Sequence, residues 1–229
     1  YKVEIEYTKP RVAYKGTIRG TVQVQGKHKK QSGGHGQYGD VKMQFEPSGD
    51  LEKPYEFFET VFGGAVPKNY FPAVEKGLQK ALEKGPLAGF PVIGVKATLV
   101  DGSYHPVDSN ELSFVLAASL AWQAAVKEVK PTILEPIMEL LITVKTEHVG
   151  AVMGDMSKRR GRILGQEEIG NGKTVVTAEV PESEISKYAT ELKTMTQASG
   201  RFERRFLRYD VTPEDQIKNI WYRYYKVKN

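Results

Sequence analysis

Three stretches of the chain carry residue types able to do chemistry. Asp101, Ser103 and His105 sit at alternate positions of one segment and supply the carboxylate, hydroxyl and imidazole of a hydrolase triad. In extended backbone such neighbours stand about 6.6 Å apart, beyond the ~3 Å reach a nucleophile and its base require. They act together only if the loop folds back. Gly170-Asn171-Gly172-Lys173-Thr174 ends like a phosphate-binding P-loop, but that motif needs a glycine where this chain has Glu167. Asn-Gly between two alternating segments reads more simply as a type I′ hairpin turn, so no nucleotide site is expected there. Lys158, Arg159, Arg160 and Arg162 crowd around Gly161. Cations in a last helical turn complement the helix dipole, yet these exceed that need, and clustered Lys/Arg also bind phosphates without regard to sequence. Both readings stand.

A fourth stretch suits binding rather than catalysis. Lys27, Lys29 and Lys30 lead into Gln31-Ser32-Gly33-Gly34-His35-Gly36-Gln37-Tyr38-Gly39. A hairpin closes with about two to five residues, and a long, basic, glycine-rich tip at 26–39 costs ordering entropy that proteins retain mostly for function. Tyr104 and His105 stand just ahead of a helix start, Asp108-Ser109-Asn110-Glu111, where Asp108 and Glu111 have capping-box spacing. Free N–H groups at a helix start favour anions. His105 is therefore either a loop residue bonded to a nearby carbonyl or a contact for a phosphate or a base.

The elements that must position these residues follow from periodicity. Residues 17–25 alternate, as do Val41, Met43 and Phe45 with Lys42, Gln44 and Glu46, which gives two half-buried strands. Residues 67–84 place Tyr70, Val74, Leu78, Ala81 and Leu82 on one helical face, with Gly85 as the stop. A strand at 91–100 follows. A helix to about residue 129 then buries Phe114, Ala118, Ala121, Trp122 and Ala125. Lys130-Pro131 ends it and opens a second pattern: strand 138–144, helix 148–160, strand 162–169, strand 174–180, helix 182–193, strand 201–209. That βαββαβ order is the ferredoxin-like arrangement. After Pro213, the spacing of Ile217, Ile220, Trp221 and Tyr224 predicts a short amphipathic helix whose aromatics, with Tyr222 and Tyr225, pack rather than stack on bases. There is no internal repeat.

Composition narrows the function classes. The 229 residues, 40% hydrophobic and free of biased tracts, are enough for one large or two modest cored domains. Absence of Cys excludes a disulfide framework and a Cys-based zinc site, and His28, His35, His105 and His148 lack ligand spacing, so no metal is implied. No apolar run approaches about eighteen residues, and no leader pattern is seen, so a cytoplasmic, non-membrane protein is expected. The net charge of +5 tilts toward a polyanionic partner. Residues 1–30 hold eight Lys/Arg, Lys2 and Lys9 among them, against Glu4 and Glu6, which marks one end as phosphate-facing. Tyr1 lies within a strand-like stretch, so the natural protein is expected to continue upstream.

Four blocks in order, Gln31 to Gly39, Asp101-Gly102-Ser103-Tyr104-His105-Pro106-Val107-Asp108-Ser109, Ser157-Lys158-Arg159-Arg160-Gly161-Arg162-Ile163-Leu164-Gly165, and Tyr188-Ala189-Thr190 through Thr196-Gln197, resemble elongation factor G. The resemblance spans nearly the whole chain. It implies an α+β protein: a ribosomal-protein-like α/β fourth domain with a βαβ crossover at 1–132 plus 211–229, followed by a ferredoxin-like fifth domain at 133–210. It implies a monomeric partner of the ribosome in protein biosynthesis. Tip residues Ser32, Gly33, Gly34, His35, Gly36, Gln37, Tyr38, Tyr104, His105, Asp108 and Ser109 would contact tRNA and mRNA in the small-subunit decoding site during translocation. Lys27, Lys29, Lys30, Lys158, Arg159, Arg160 and Arg162 would contact ribosomal RNA, the last four near the large-subunit GTPase centre. No cofactor is expected in this chain, and GTP with Mg belongs to upstream domains; the chain by itself is not expected to be an enzyme. His35 stands where the family usually has Arg, and Ala198-Ser199-Gly200 replaces its usual Gly-Arg-Gly. Both changes remove a fixed positive charge, which leaves a recycling or ribosome-protection paralogue as the alternative to the translocase. A small hydrolase is the alternative from another class.

Overall fold

A computed structural model describes residues 11–31 and 33–225. Ser32, the strand-like stretch around Tyr1, and the cations Lys2 and Lys9 lie outside the described residues, as does the side chain of Tyr225. The chain forms two compact units: Lys15–Leu134 with 212–225, and Glu135–Val211 with 11–14.

The first unit contains β1 (Lys15–Ile18), β2 (Val22–Lys30), β3 (Gln37–Pro47), β4 (Tyr55–Glu59), α1 (Phe71–Leu82), β5 (Val95–Ser103) and α2 (Glu111–Ala125). Its sheet runs β2-β3-β5-β4; β4 pairs with β5 in parallel, so β4, α1 and β5 make a βαβ crossover. The alternation expected from the sequence is present. Val41, Met43 and Phe45 of β3 and Val95, Ala97 and Leu99 of β5 are fully buried against Val74 and Leu78 of α1 and Phe114, Ala118 and Trp122 of α2. Phe45 meets Trp122 edge-on at 5.3 Å. Full burial of each large apolar side chain stabilises by about 1.5–3 kcal/mol, which makes this sheet-on-helix layer a rigid base.

Three sequence expectations are corrected here. The tip expected over 26–39 shrinks to residues 31–36, because β2 and β3 keep pairing outward, with Lys27 opposite Asp40, Lys29 opposite Tyr38 and Lys30 opposite Gln37. Gly26 and Gly39, which suggested a loop, instead let α2 lie directly on the hairpin. A Cβ would stand 2.0 Å from the Ala117 carbonyl oxygen at Gly26 and 2.4 Å from that of Ser113 at Gly39. α1 begins only at Phe71, after a 3-10 turn at Lys68–Tyr70, and ends at Leu82. Gly85 is not its stop; its N–H donates to the Phe90 carbonyl oxygen at 2.8 Å, in a space a Cβ would fill. The cap of α2 is Asn110, whose Oδ1 accepts from the Ser113 N–H at 2.9 Å, so Asp108 is left for another role.

The second unit adds β6 (Pro131–Lys145), α3 (Val149–Lys158), β7 (Arg162–Gly170), β8 (Lys173–Pro181), α4 (Tyr188–Met195) and β9 (Arg201–Val211). The sheet order β7-β8-β6-β9 in a βαββαβ chain is ferredoxin-like. The first residues of β6 pair with β1. Asn171 at φ 53° and Gly172 at φ 67° make the I′ turn. α3 starts one residue late, after a 3-10 turn at Thr146–His148, and ends at Lys158, ahead of Arg160 at φ 56°; α4 starts late, after a 3-10 turn at Glu182–Glu184, and runs on to Met195. Leu140, Ile142, Val176 and Ala178 pack against Val152, Met156, Tyr188 and Leu192. Residues 11–14 join this unit, where Tyr209 donates to the Ala13 carbonyl oxygen at 2.8 Å.

Helix α5 (Glu214–Tyr225) belongs to the first unit. Ile220 is buried and Tyr224 meets Phe90 edge-on at 5.1 Å. Trp221 and Tyr222 are less buried than the sequence suggests, at 39% and 59% exposed, and their rings meet edge-on at 5.9 Å. No helix of the described residues is long and apolar enough to cross a membrane.

Candidate nucleic-acid interface

The outer end of the first unit is built from two short loops, residues 31 and 33–36 between β2 and β3 and residues 104–110 between β5 and α2. Gly33 at φ 43° and Gly34 at φ 134° turn the first loop; Gly34 lies where only glycine is comfortable. The loops are stitched together. Asp108 Oδ1 accepts from the buried Gly36 N–H at 3.0 Å, its carbonyl oxygen accepts from the Tyr38 N–H at 3.0 Å, and Ser109 Oγ donates to the Tyr38 carbonyl oxygen at 2.8 Å. A Cβ on Gly36 would stand 2.7 Å from Asp108 Oδ2, so the absence of a side chain there lets the carboxylate come this close.

His105 organises the second loop. Its N–H donates to Ser109 Oγ at 2.8 Å, and its Nδ1 accepts from the N–H groups of Val107 at 3.3 Å and Asp108 at 3.1 Å. Nδ1, also 3.5 Å from Asp108 Oδ2, is turned into the loop, and Nε2 is the ring nitrogen that the half-exposed side chain can present to a partner. The imidazole is thus bonded to backbone N–H groups, not to the carbonyl that the sequence reading allowed.

Beneath the loops lies a polar anchor. Asp40, 6% exposed, accepts from Gln25 Nε2 and from Ser103 Oγ, both at 2.6 Å, and Ser103 Oγ also shares a hydrogen bond with the Tyr38 hydroxyl at 2.7 Å. Lys27 Nζ sits 5.4 Å from the Tyr38 ring centroid, a cation–π contact. Gln37 Oε1 bonds His28 Nε2 at 2.7 Å. Asp40 and Gln25 were missed in the sequence. The sequence held only an acid at the head of the alternating run; its burial and its place opposite Ser103 in the β3–β5 register come from the fold.

The tip residues therefore divide. Gly33, Gly34, His35, Tyr104 and His105 are exposed, as are Pro106 and Val107, which the sequence reading did not single out. Gly36, Gln37, Tyr38, Asp108 and Ser109, expected as outward contacts, use their polar groups to hold the loops. Lys27, Lys29 and Lys30 line β2 as exposed cations. The triad geometry does not form: Asp101 Oδ2 meets Lys42 Nζ at 3.4 Å, Ser103 is bound to Asp40, and His105 to its own loop. The P-loop geometry does not form either. Gly170 to Thr174 is a hairpin, and Thr174 Oγ1, the hydroxyl such a loop gives to Mg, pairs with Thr146 Oγ1 at 3.0 Å.

In the second unit Arg159, Arg160 and Arg162 are each paired internally. Arg159 bonds Asp155 at 2.7 Å, Glu191 and the Glu184 carbonyl oxygen, and covers the Tyr188 ring at 4.9 Å. Arg160, held at φ 56°, grips buried Glu135 through two bonds of 2.8 and 2.9 Å, which with Glu184 pushes the guanidinium pKa further up. Arg162 and Arg208 share Glu179, holding its carboxyl down at about 2, with Arg208 the main cause. The expectation of a free basic cluster is corrected accordingly: among the described residues only Lys158 of the four lacks an ion-pair partner, while Arg162 keeps 69% side-chain exposure despite its own.

Known proteins share this arrangement. The family model for elongation factor G, domain IV, matches residues 10–130, and that for the elongation factor G C-terminus matches residues 132–220. Over 220 residues the chain is 47% identical to an elongation factor G-like protein of Thermotoga maritima, covering 96% of this chain and 32% of that protein. A crystal structure of a Thermus thermophilus protein superimposes with a TM-score of 0.89 at 42% identity, covering 96% of this chain and 33% of that one. The chain thus spans about a third of the length of these relatives.

Proposed function

Because the chain belongs to the elongation factor G family, we propose that it is the ribosome-engaging part of a translational GTPase that promotes movement of tRNA and mRNA. The tip of the first unit contacts the tRNA–mRNA pair in the decoding site, and the second unit lies against large-subunit ribosomal RNA. GTP hydrolysis, on other parts of a longer protein, drives the motion; this chain supplies shape and charge. The observation that carries the reading is the stitched tip. Two loops held by Asp108, Ser109 and His105 offer a pre-ordered edge with the His105 Nε2, Tyr104 and two glycines with no side chain to obstruct RNA. Pre-ordering matters because a loop that is already fixed loses little entropy on binding.

In a full-length factor, His105→Ala is expected to leave ribosome binding intact and slow single-turnover translocation. His105→Asn, which keeps an acceptor in place of Nδ1 but lacks the outward donor, is expected to be slow as well. His105→Gln, which restores a donor near Nε2, should be faster than either. Wild-type rates in all three variants would remove the assigned role. A second reading, a recycling or ribosome-protection paralogue, is favoured by His35 in place of the family's usual Arg and by the description of the Thermotoga maritima relative as elongation factor G-like. A full-length factor that splits post-termination ribosomes without translocating would select it.

A further inference from the structure

Beside the tip, the first unit carries a stripe of lysines along α1. Lys76 and Lys80 lie on the helix and Lys84 just past its end; all three are exposed, and none has an ion-pair partner among the described residues. Like charges four residues apart repel and weaken a helix, and local carboxylates do not relieve the repulsion. Glu75 accepts from the Tyr55 hydroxyl at 3.0 Å, and Glu83 forms no ion pair among the described residues. The dipole accounts for cations in the last turn, but not for Lys76 in mid-helix.

The stripe overlooks a seam with α2. At Gly77 the two helices touch, since a Cβ would stand 2.3 Å from the Val115 carbonyl oxygen. On the outer side this leaves a groove of about 300 Å³ between Lys76 and Lys80 on one bank and Leu112 and Val115 on the other, with Glu111 its one carboxylate. A second groove of about 200 Å³ continues past Lys84 to Trp122 and Gln123. Leu112 is 56% exposed. Residues four apart on a helix rise about 6 Å, close to the separation of successive phosphates along a nucleic-acid strand.

We propose that this α1–α2 seam is a second RNA-backbone surface, formed by residues other than those of the tip. A strand lies along the seam with successive phosphates on Lys76, Lys80 and Lys84 and its riboses against Leu112 and Val115. The contact is sequence-blind, since ammonium groups and alkyl side chains read no base edge. The choice of RNA as partner rests on the ribosome reading above, but the residues do not overlap.

The test measures binding of a fluorescently labelled RNA hairpin to the 229-residue chain by anisotropy across about 50 to 200 mM salt. Replacing Lys76, Lys80 and Lys84 together by Gln is expected to reduce the slope of log affinity against log salt by about two to three, one for each phosphate that is no longer neutralised. The Arg triple variant should restore it. Replacing the exposed Lys145, Lys187 and Lys193 by Gln, an equal reduction of charge elsewhere, should leave the slope within about one of wild type. Circular dichroism confirms that each variant is folded. An unchanged slope in the Gln variant overturns the proposal, as does absence of salt-dependent binding by the wild type. A Tyr104→Ala/His105→Ala variant separates the two readings: weaker binding there with no change in the stripe variant sinks the seam and spares the tip, and the reverse does the opposite. Competition by polyglutamate as effective as by RNA of equal charge would assign the seam to an acidic protein and overturn it too.

Discussion

Replacing Asp108 by Ala should unlock the tip without unfolding the unit that carries it. Asp108 Oδ1 is the acceptor for the Gly36 N–H at 3.0 Å, and Gly36 is buried. Truncation leaves that donor without its partner, at a cost of about 1–3 kcal/mol. The neighbouring bonds Tyr38 N–H to Asp108 O and Ser109 Oγ to Tyr38 O involve groups that Ala retains, so the effect stays local. A cost of that size raises the open population of the 31–36 loop by about 5- to 150-fold. Amide hydrogen exchange at Gly36 should accelerate by that factor, while amides of Phe45 and Leu99 in the core keep their protection. Asp108→Asn retains an oxygen in the same place, so its exchange should stay within about fivefold of wild type, only the charge assistance being removed. In the full-length factor, the Ala variant should bind RNA through its tip more weakly, because the loop must then be ordered at binding. Unchanged Gly36 exchange in the Ala variant, or equal acceleration in Ala and Asn, would refute the assignment of Asp108 as the acceptor that fixes the loop.

Two further outcomes follow from the same structure. Gly39→Ala places a Cβ 2.4 Å from the Ser113 carbonyl oxygen, so α2 must shift; urea denaturation should show the first unit destabilised by about 1–3 kcal/mol, and wild-type stability would contradict the close approach. Glu179 has its carboxyl pKa lowered from 4.5 to about 2 by Arg208 and Arg162, so its stabilisation is present above 4.5 and lost as pH falls through 2. At face value the shift is worth about 3 kcal/mol, which exposure of both arginines reduces to about 1–2. Thermal unfolding of Glu179→Gln should fall below wild type at pH 7, and the gap should close between about pH 5 and pH 2; a gap that persists at the acid end would exclude this source.

How far apart the interacting residues lie decides what could be read from the sequence. Local and periodic features were legible there. The alternation of Val41, Met43 and Phe45, the stripe Phe114, Ala118, Ala121, Trp122 and Ala125, the Asn171-Gly172 turn and the βαββαβ order all concern neighbours whose burial is set by a period of two or 3.6 residues. The glycine-rich and histidine-bearing blocks likewise announced the tip. Which groups face outward depended on tertiary packing. Gly26 and Gly39 signal a loop in sequence but a close helix approach in space, because absence of a Cβ serves either purpose. Asp108 and Asn110 both have the chemistry of a helix cap; the choice depended on Gly36, 72 positions from Asp108. The basic run around Gly161 gave up its free charge to Glu135, Glu179 and Glu191, distant in sequence and adjacent only once β6, β8 and α4 have packed. Side-chain type and spacing fix what a residue can do, while desolvation and the partner brought within about 3 Å by the fold fix what it does.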